Sequence, residues 1–344
     1  MDNQFWLGVT VILISGAMNA AFALPMKYSR SWKWENQWLV FSVAGILMVP
    51  WALAFALVPG LTGVYAEVTP RALVLPVVLG LLWGCAQVTF GVSLRMVGVA
   101  LTFAVVSGLA SLSGSLIPLL VFHPADLFRP RGLMLLLSIP FLLVGLIFYG
   151  VAGRRREKEH NGFDPSVLKI TPSAMFTTGL AICIFTGVFG SSINLGFAFS
   201  GDILRTGLKL GGSPITSTYP VWVLVLGAGF IPNLLYCLSR LSRNHTSFLF
   251  FQSGCLKDAM LALAMATVWI TGIVGYGVGA TLLGKYGTSI GFTVLTASQI
   301  LSANTLGMLT GEWKHTSAET KQLLAMGTAV ILFSVVVLNL GGLV

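Results

Sequence analysis

The run Arg154-Arg155-Arg156-Glu157-Lys158-Glu159-His160-Asn161-Gly162-Phe163-Asp164-Pro165 stands at the middle of the chain. It is the only long charged stretch in 344 residues, and apolar segments fill most of the sequence on both sides of it. Only 9% of the residues are charged and 56% are hydrophobic, whereas a soluble domain carries about 25% charged residues. We therefore predict an all-α polytopic membrane protein in which the central run connects two groups of membrane spans.

Ten apolar segments are long enough to cross a bilayer as helices, which takes about 20 residues each. Five precede the central run and five follow it, at residues 5–26, 37–58, 72–94, 98–122, 132–152, 173–199, 217–239, 258–283, 287–310 and 322–343. We refer to these segments as spans 1 to 10. Residues 200–216, between spans 6 and 7, mix charged and aliphatic side chains, which is compatible with a short interfacial helix or with an ordered loop.

The 20 Lys and Arg residues are divided unevenly between the two faces of the predicted membrane protein. Six lie on the face that holds both termini, and the remaining fourteen lie on the face of the central run; the six are Arg71, Arg129, Arg131, Arg205, Lys209 and Lys285. Cytoplasmic loops carry the excess of Lys and Arg, so we expect the central run in the cytoplasm and both termini outside it. Cations spread in this way fix topology and do not indicate nucleic-acid binding, in spite of the net charge of +9.

Spans 1 to 4 match spans 6 to 9 in order, at offsets of 175, 182, 186 and 189 residues. The first pair matches Asn19 with Asn194, and the third pair matches Trp83 with Trp269. Spans 5 and 10 match poorly. Because each group has five spans, an odd number, the second group must enter the membrane in the inverted orientation.

We therefore predict a 5+5 inverted repeat, with residues 1–153 as the first five-helix repeat, 154–171 as a cytoplasmic connecting loop and 172–344 as the second repeat. This architecture is typical of secondary transporters, which bind their substrate near the middle of the membrane and work by alternating access. The sequence has no catalytic dyad, no cluster of metal ligands and no P-loop, so we predict no enzyme activity, no ATP hydrolysis and no cofactor or metal.

The first hairpin carries the most specific sequence pattern, which is Lys27 followed by Trp32-Lys33-Trp34-Glu35 and Trp38. Further positions of the pattern are Pro50-Trp51, Trp83-Gly84, Gly91, Arg95, Gly98, Pro118 and Glu312-Trp313. On these residues the chain resembles the L-rhamnose–proton symporter family, within the ten-helix drug/metabolite transporter superfamily, over nearly its whole length. The resemblance implies proton-coupled uptake of L-rhamnose or a related sugar across the bacterial inner membrane; the periplasmic position of both termini is predicted from the charge distribution alone. The alternative is an exporter or exchanger of another small metabolite or drug with the same fold.

An ionisable residue inside the membrane would be the default site of proton coupling. Here every Asp and Glu falls in a loop or at the end of a span. Glu35, Asp258 and Glu312 lie closest to apolar segments, about one helical turn away, and we predict that they couple transport to protons. Alternatively, they are interfacial charge pairs or carboxylates at helix starts.

Several side-chain amides lie inside the spans, and an amide in hydrocarbon needs a partner or water. Sugar hydroxyls both donate and accept hydrogen bonds, and the C–H face of a sugar stacks on aromatic rings. We predict a sugar site that contains Asn19, Gln87, Asn194, Gln299, Trp83, Trp269 and Tyr276. Alternatively, the amides join helices to one another, and the aromatic rings are packing residues. Asn233 and Asn304 are further amides inside the spans, for which the same two interpretations hold. Membrane lipid is a further expected partner, and the sequence indicates no oligomeric state.

Overall fold

A computed structural model describes residues 3–122, 124–161, 172–213, 215–283 and 290–340, and the regular secondary structure there is helical. No β-strand occurs among those residues. The α-helices, in chain order, are α1 Asn3–Ala21, α2 Trp34–Phe41, α3 Val49–Leu57, α4 Leu61–Glu67, α5 Pro70–Val97, α6 Val99–Phe122, α7 Pro130–Asn161, α8 Pro172–Gly190, α9 Ser192–Ala198, α10 Gly201–Lys209, α11 Tyr219–Asn244, α12 Cys255–Leu282, α13 Ile290–Leu309 and α14 Ala318–Leu340.

Large apolar side chains remain exposed on many helices; Phe55 and Ile147 are each 64% exposed. Lipid is the solvent in which such surfaces are stable, because helices satisfy their own backbone hydrogen bonds there. Within the described ranges, seven helical stretches are apolar and long enough to cross a membrane: Gln4–Tyr28, Trp34–Leu57, Pro70–Val97, Gly132–Arg156, Thr216–Asn244, Cys255–Ala280 and Ala318–Leu338. The expectation of an all-α polytopic membrane protein is confirmed. The number of ten spans stays a prediction.

The central charged run begins as helix and not as a loop. Helix α7 continues to Asn161, so the structure differs from the expected loop at residues 154–161, and the expected loop residues 162–171 lie outside the described part. Arg, Glu and Lys are good helix formers. In addition, the Glu159 carboxylate accepts hydrogen bonds from the Ser317 N–H at 2.8 Å and the Thr320 hydroxyl at 2.8 Å, which attaches the end of α7 to the start of α14.

Two predicted spans are interrupted helices. Span 2 consists of α2, a π-helical segment Ser42–Met48, and α3. Pro50, near the start of α3, lacks an N–H and crowds the carbonyl one turn earlier, which disfavours a continuous α-helix at this point. Span 6 breaks at Ser191, between α8 and α9. The segment at 200–216 contains a helix, α10, that buries Ile203 and Gly207, which agrees with the interfacial-helix alternative.

One compact unit, unit 1, consists of Met1–Ala20, Thr89–Val188 and Gly279–Val344. In it α7 and α14 pack antiparallel, because the Ser334 hydroxyl donates to the Ser138 carbonyl at 2.8 Å while Tyr149 and Thr328 share a hydrogen bond of 2.7 Å. Helix α6 packs on α13. Buried apolar side chains fill the core of this unit; they include Leu142, Tyr149, Phe176, Trp313 and Ile331.

The other compact unit, unit 2, consists of Ala21–Val88 and Phe189–Val278. The segments of span 2 pack on α11. Helix α5 also approaches α11 very closely, since a Cβ atom placed on Gly84 would lie 2.7 Å from the Cα of Gly229. Small residues let transmembrane helices come together backbone to backbone. Buried side chains under α4 and α10 form a second part of the core, among them Val64, Ile203, Val221 and Val225.

Candidate functional site

Unit 2 brings two of the predicted sugar-site aromatics into direct contact. The rings of Trp83 on α5 and Trp269 on α12 stack with centroids 6.2 Å apart and an interplanar angle of 24°. Phe41, at the end of α2, meets the Trp269 ring edge-on at 5.9 Å. All three side chains are buried. They form an aromatic layer, Phe41–Trp269–Trp83, that joins spans 2, 3 and 8.

The other two predicted sugar-site residues of unit 2 follow the tryptophans along the same helices. Gln87 lies one turn after Trp83, is 8% exposed, and its Nε2 donor has no partner among the described residues. Tyr276 lies two turns after Trp269 and is half-buried. Residues separated by four or seven positions share a helix face, so α5 and α12 each present a tryptophan and a polar side chain on one face.

In unit 1, α1 and α13 bring Asn19 and Gln299 to the same level. A Cβ on Gly291 would lie 3.1 Å from the Ile12 Cδ1 atom, and a Cβ on Gly16 would lie 2.6 Å from the Ser298 Cβ atom, so the two helices run parallel. Extending this register by one turn from Gly16 brings Asn19, which is buried, near the level of Gln299, which is half-buried. Asn194 lies on α9 in unit 2, and its side chain is outside the described part of the structure.

Two other amides of the spans hold helices together. Asn233 on α11 accepts a hydrogen bond from Trp38 Nε1 at 2.9 Å and donates to the Gly84 carbonyl at 3.2 Å, so it joins α2, α5 and α11. Asn304 on α13 donates to the Tyr149 hydroxyl and the Thr328 hydroxyl, each at 2.9 Å. For these two residues the helix-joining alternative is correct.

Glu35 lies near the start of α2 and is only 2% exposed. One carboxylate oxygen accepts hydrogen bonds from Asn244 Nδ2 at 2.7 Å and from the Thr246 hydroxyl at 2.9 Å. Both donors are side chains from the end of α11 and the turn that follows it. Glu35 thereby ties the start of span 2 to the connection between spans 7 and 8.

Asp258, in the first turn of α12, makes a different set of contacts. It is 1% exposed and accepts hydrogen bonds from the backbone N–H groups of Arg30 at 3.3 Å, Ser31 at 2.8 Å and Trp32 at 2.7 Å. These N–H groups belong to the turn before α2 and have no helical partner. The carboxylate therefore holds the turn between spans 1 and 2 against α12.

Glu312, after α13, caps the first turn of α6 in unit 1. Its carboxylate accepts the Val99 N–H at 3.0 Å, which is favourable at the positive end of a helix dipole. On the other side of Gly98 (φ +87°), Arg156 donates to the Val97 carbonyl at 3.1 Å, at the negative end of α5. The Arg156 guanidinium also lies 5.0 Å from the centroid of the Trp313 ring. A carboxylate and a cation thus hold the turn between α5 and α6.

All three predicted coupling carboxylates therefore carry structural hydrogen bonds, and none of them stands alone in the interior of a span. The predicted sugar site does not include Gln37 and Trp34, whose buried polar atoms have no partner within the described ranges. In the sequence, the three-residue spacing of Trp34 and Gln37 places the two side chains next to each other on the first turn of an aromatic-rich helix. No group of three or more metal-ligating side chains occurs among the described residues.

The chain is similar to proteins of one described family over nearly its whole length. The family model for the L-rhamnose-proton symport protein (RhaT) matches residues 1–343. Similar curated proteins, each named L-rhamnose-proton symporter, come from Mannheimia succiniciproducens at 25% identity, Cronobacter sakazakii at 24% and Citrobacter koseri at 22%. In each case the alignment covers 99% of this chain and 99% of the relative. No solved structure matches the chain.

Proposed function

Because the chain belongs to the L-rhamnose-proton symport protein family, we propose that it carries L-rhamnose across the bacterial inner membrane together with a proton. The match over nearly the whole chain carries this proposal, and the multi-pass helical structure supports it. Members of the family are symporters, so the chain is a transporter and not an enzyme. We place both termini in the periplasm, on the distribution of Lys and Arg; a reporter at Val344 that reports from the cytoplasm would contradict this orientation.

The direct test is uptake of radiolabelled L-rhamnose into proteoliposomes with and without an imposed pH gradient, acidic outside. Rhamnose is expected to accumulate above its external concentration only with the gradient, and a protonophore should abolish the accumulation. Empty liposomes are the control. Equilibration that ignores the gradient would indicate a uniporter, and absence of rhamnose uptake would contradict the substrate assignment.

We also propose the ten-span inverted repeat of the drug/metabolite transporter fold. Its support is that four of the five pairs of spans that the repeat relates pack together, each pair within one unit. Spans 4 and 9 (α6 and α13) and spans 5 and 10 (α7 and α14) pack together in unit 1. Spans 2 and 7 pack together in unit 2, and there the matched residues Trp83 and Trp269 of spans 3 and 8 stack on each other. Contact between equivalent elements is what a two-fold axis through each unit produces.

Spans 5 and 10, whose sequences match poorly, supply a reciprocal pair of contacts. A Cβ on Gly145 would lie 3.1 Å from the Ile331 nitrogen, and a Cβ on Gly327 would lie 2.7 Å from the Tyr149 ring. The two glycines differ by 182 positions, and so do Tyr149 and Ile331. Each glycine thus contacts the residue that corresponds to the other glycine's partner, at a single offset of 182 positions. This contact supports the repeat in spans 5 and 10, where the sequence match is poor.

The unit boundaries support the same repeat. They fall at 20/21, 88/89, 188/189 and 278/279, which lie inside spans 1, 3, 6 and 8. These four spans are two matched pairs. If the two halves of the chain were unrelated, there would be no reason for the boundaries to fall in equivalent spans.

Among the three predicted carboxylates, we propose Glu35 as the proton carrier. A backbone N–H can only donate. Both oxygens of Asp258 accept such N–H groups, and both oxygens of Glu312 accept the Val99 N–H, so protonation of either carboxylate would weaken at least one of these bonds. The Thr246 hydroxyl beside Glu35 can donate or accept. It can therefore keep a hydrogen bond with Glu35 in both protonation states, which a group that gains and loses a proton in each cycle requires.

Glu35→Gln is expected to lower gradient-driven rhamnose accumulation at least about tenfold while rhamnose exchange across the membrane continues. The glutamine keeps the shape of the side chain and can still bond Asn244 and Thr246, but it cannot take up a proton. Accumulation and exchange are measured in the same proteoliposomes. Glu67→Gln, which changes a partly exposed carboxylate in the same unit, is the matched control. Full accumulation by the Glu35 variant would remove Glu35 as the carrier.

For sugar contact we propose the groups that each unit brings together. In unit 2 the Trp83–Trp269 stack offers apolar surface, and Gln87 has an unused donor one turn away. In unit 1 Asn19 and Gln299 stand at one level. Asn194 stays a predicted member of the site.

A further inference from the structure

Buried polar atoms without a protein partner concentrate on α2. Five of the ten such atoms in the described part of the chain belong to residues 34–42: Trp34 Nε1, Asn36 Oδ1, Gln37 Nε2, Gln37 Oε1 and Ser42 Oγ. Gln37 stands out because its side chain is 1% exposed and both of its amide atoms lack a partner. Its neighbours Glu35 and Asn36, in contrast, each make a hydrogen bond with Thr246.

A buried primary amide without any hydrogen bond is costly, and such groups occur in folded proteins where water or a ligand supplies the partner. Ser and Thr side chains inside helices avoid this cost by bonding to the carbonyl one turn earlier, as Ser93 and Ser111 do here. Gln37 makes no such bond. A buried amide that makes no hydrogen bond to the protein therefore indicates a polar ligand or a water molecule beside it.

Trp34 and Gln37 are neighbours on one face of α2, since residues three positions apart lie side by side. Helical side chains lean toward the preceding turn, so the Gln37 amide lies over the turn that carries Trp34. The surroundings are aromatic. The Trp34 ring stacks on Trp38 at 5.1 Å and 16°, and Phe41, one turn after Gln37, joins the layer with Trp269.

We propose that Gln37 and Trp34 form a subsite for sugar hydroxyls, a proposal that rests on the proposed function as a sugar transporter. Together they supply two donors, Gln37 Nε2 and Trp34 Nε1, and one acceptor, Gln37 Oε1. Neighbouring hydroxyls of a sugar ring can use all three, because each hydroxyl donates and accepts. The Phe41 ring, one turn after Gln37, suits the apolar C–H face of the same sugar. Gln37 and Trp34 are thus specificity-determining residues on the part of span 2 that also holds Glu35.

The test replaces Gln37 by Met, which keeps the length of the side chain and removes both polar atoms. The KM for rhamnose uptake by Gln37→Met is expected to rise about tenfold, the usual effect of losing a buried hydrogen-bonded partner. Its melting temperature should stay the same or increase, because an unpaired amide has been removed. Removing the contacted hydroxyl from rhamnose should raise the KM for uptake about tenfold with the native protein, and should change the KM little with Gln37→Met.

A matched tryptophan pair separates recognition from packing. Trp34→Phe removes an unpartnered N–H and should raise KM at an unchanged melting temperature. Trp38→Phe removes an N–H that is bonded to Asn233 and should lower the melting temperature with little change in KM. Gln252→Met, on an exposed residue, controls for the chemical change itself.

The outcomes distinguish the subsite from the proposed function. Native protein that fails to take up rhamnose would overturn both. Native uptake together with an unchanged KM for Gln37→Met and Trp34→Phe would overturn only the subsite. An equal increase in KM for the deoxy analogue with the native protein and with Gln37→Met would also overturn the subsite, because ordered water would then be the hydrogen-bond partner of Gln37.

Discussion

Gly84→Ala is expected to abolish measurable rhamnose uptake and to leave little folded protein in detergent. The added methyl group would lie 2.7 Å from the Cα and 2.8 Å from the carbonyl carbon of Gly229 on α11. Backbone atoms cannot turn aside as the end of a side chain can, so α5 and α11 would have to separate. Separation would also stretch the bond of Asn233 to the Gly84 carbonyl and disturb the Trp83 ring, which covers Gly229. Overpacking of this kind costs about 3 kcal/mol.

The measurement is the yield of monodisperse protein and its melting temperature, together with uptake in proteoliposomes. Gly150→Ala is the matched control, since the nearest atom to a Cβ at that position is a Leu180 methyl carbon at 3.9 Å. That variant should be as stable as the native protein or more stable, because alanine favours a helix over glycine. Normal stability of Gly84→Ala would show that α5 and α11 are not in backbone contact.

Asp258→Asn is expected to destabilise unit 2 by about 3 kcal/mol, because hydrogen bonds to a buried charged group contribute about 1.5–3 kcal/mol each and are not additive. The asparagine would turn an NH2 group toward backbone donors, and the N–H groups of Arg30, Ser31 and Trp32 cannot accept. The melting temperature should fall several degrees. Rhamnose accumulation per folded molecule should change less than with Glu35→Gln.

Glu319→Gln provides the control for this change of acid to amide, because the Glu319 side chain is 83% exposed and its ion pair with Arg155 is at the surface. Exposed pairs contribute about 0–1 kcal/mol, so that variant should melt close to the native protein. Should Asp258→Asn melt normally and lose only gradient-driven accumulation, then Asp258 would be the coupling residue and not a support for the turn before α2.

The sequence predicted the membrane class and the approximate positions of the apolar helices, because hydrophobicity acts through the length and composition of each segment alone. It also matched Trp83 with Trp269 in the predicted repeat, and the structure stacks their rings. The sequence did not distinguish amides that join helices from amides that have polar atoms without a hydrogen-bond partner. Asn233 and Gln87 have the same chemistry in the same kind of segment, and only the neighbouring helices give one of them partners for both of its polar atoms.

How far α7 extends into the central charged run depends on contacts with residues outside the run. Read alone, Arg154 to Asn161 is a polar connection between apolar segments. The bonds of Glu159 to Ser317 and Thr320, residues more than 150 positions away in sequence, favour its continuation as the last turns of α7.

The sequence by itself determined that this protein is a bundle of membrane helices, because that property is a sum over local composition. Only the tertiary structure decided which groups the carboxylates and amides of those helices bond. A hydrogen bond depends on which donor stands opposite, and the donors for Glu35, Asp258 and Glu312 come from residues about 210 to 230 positions away in the chain. No local pattern encodes that distance, so these hydrogen bonds follow from packing.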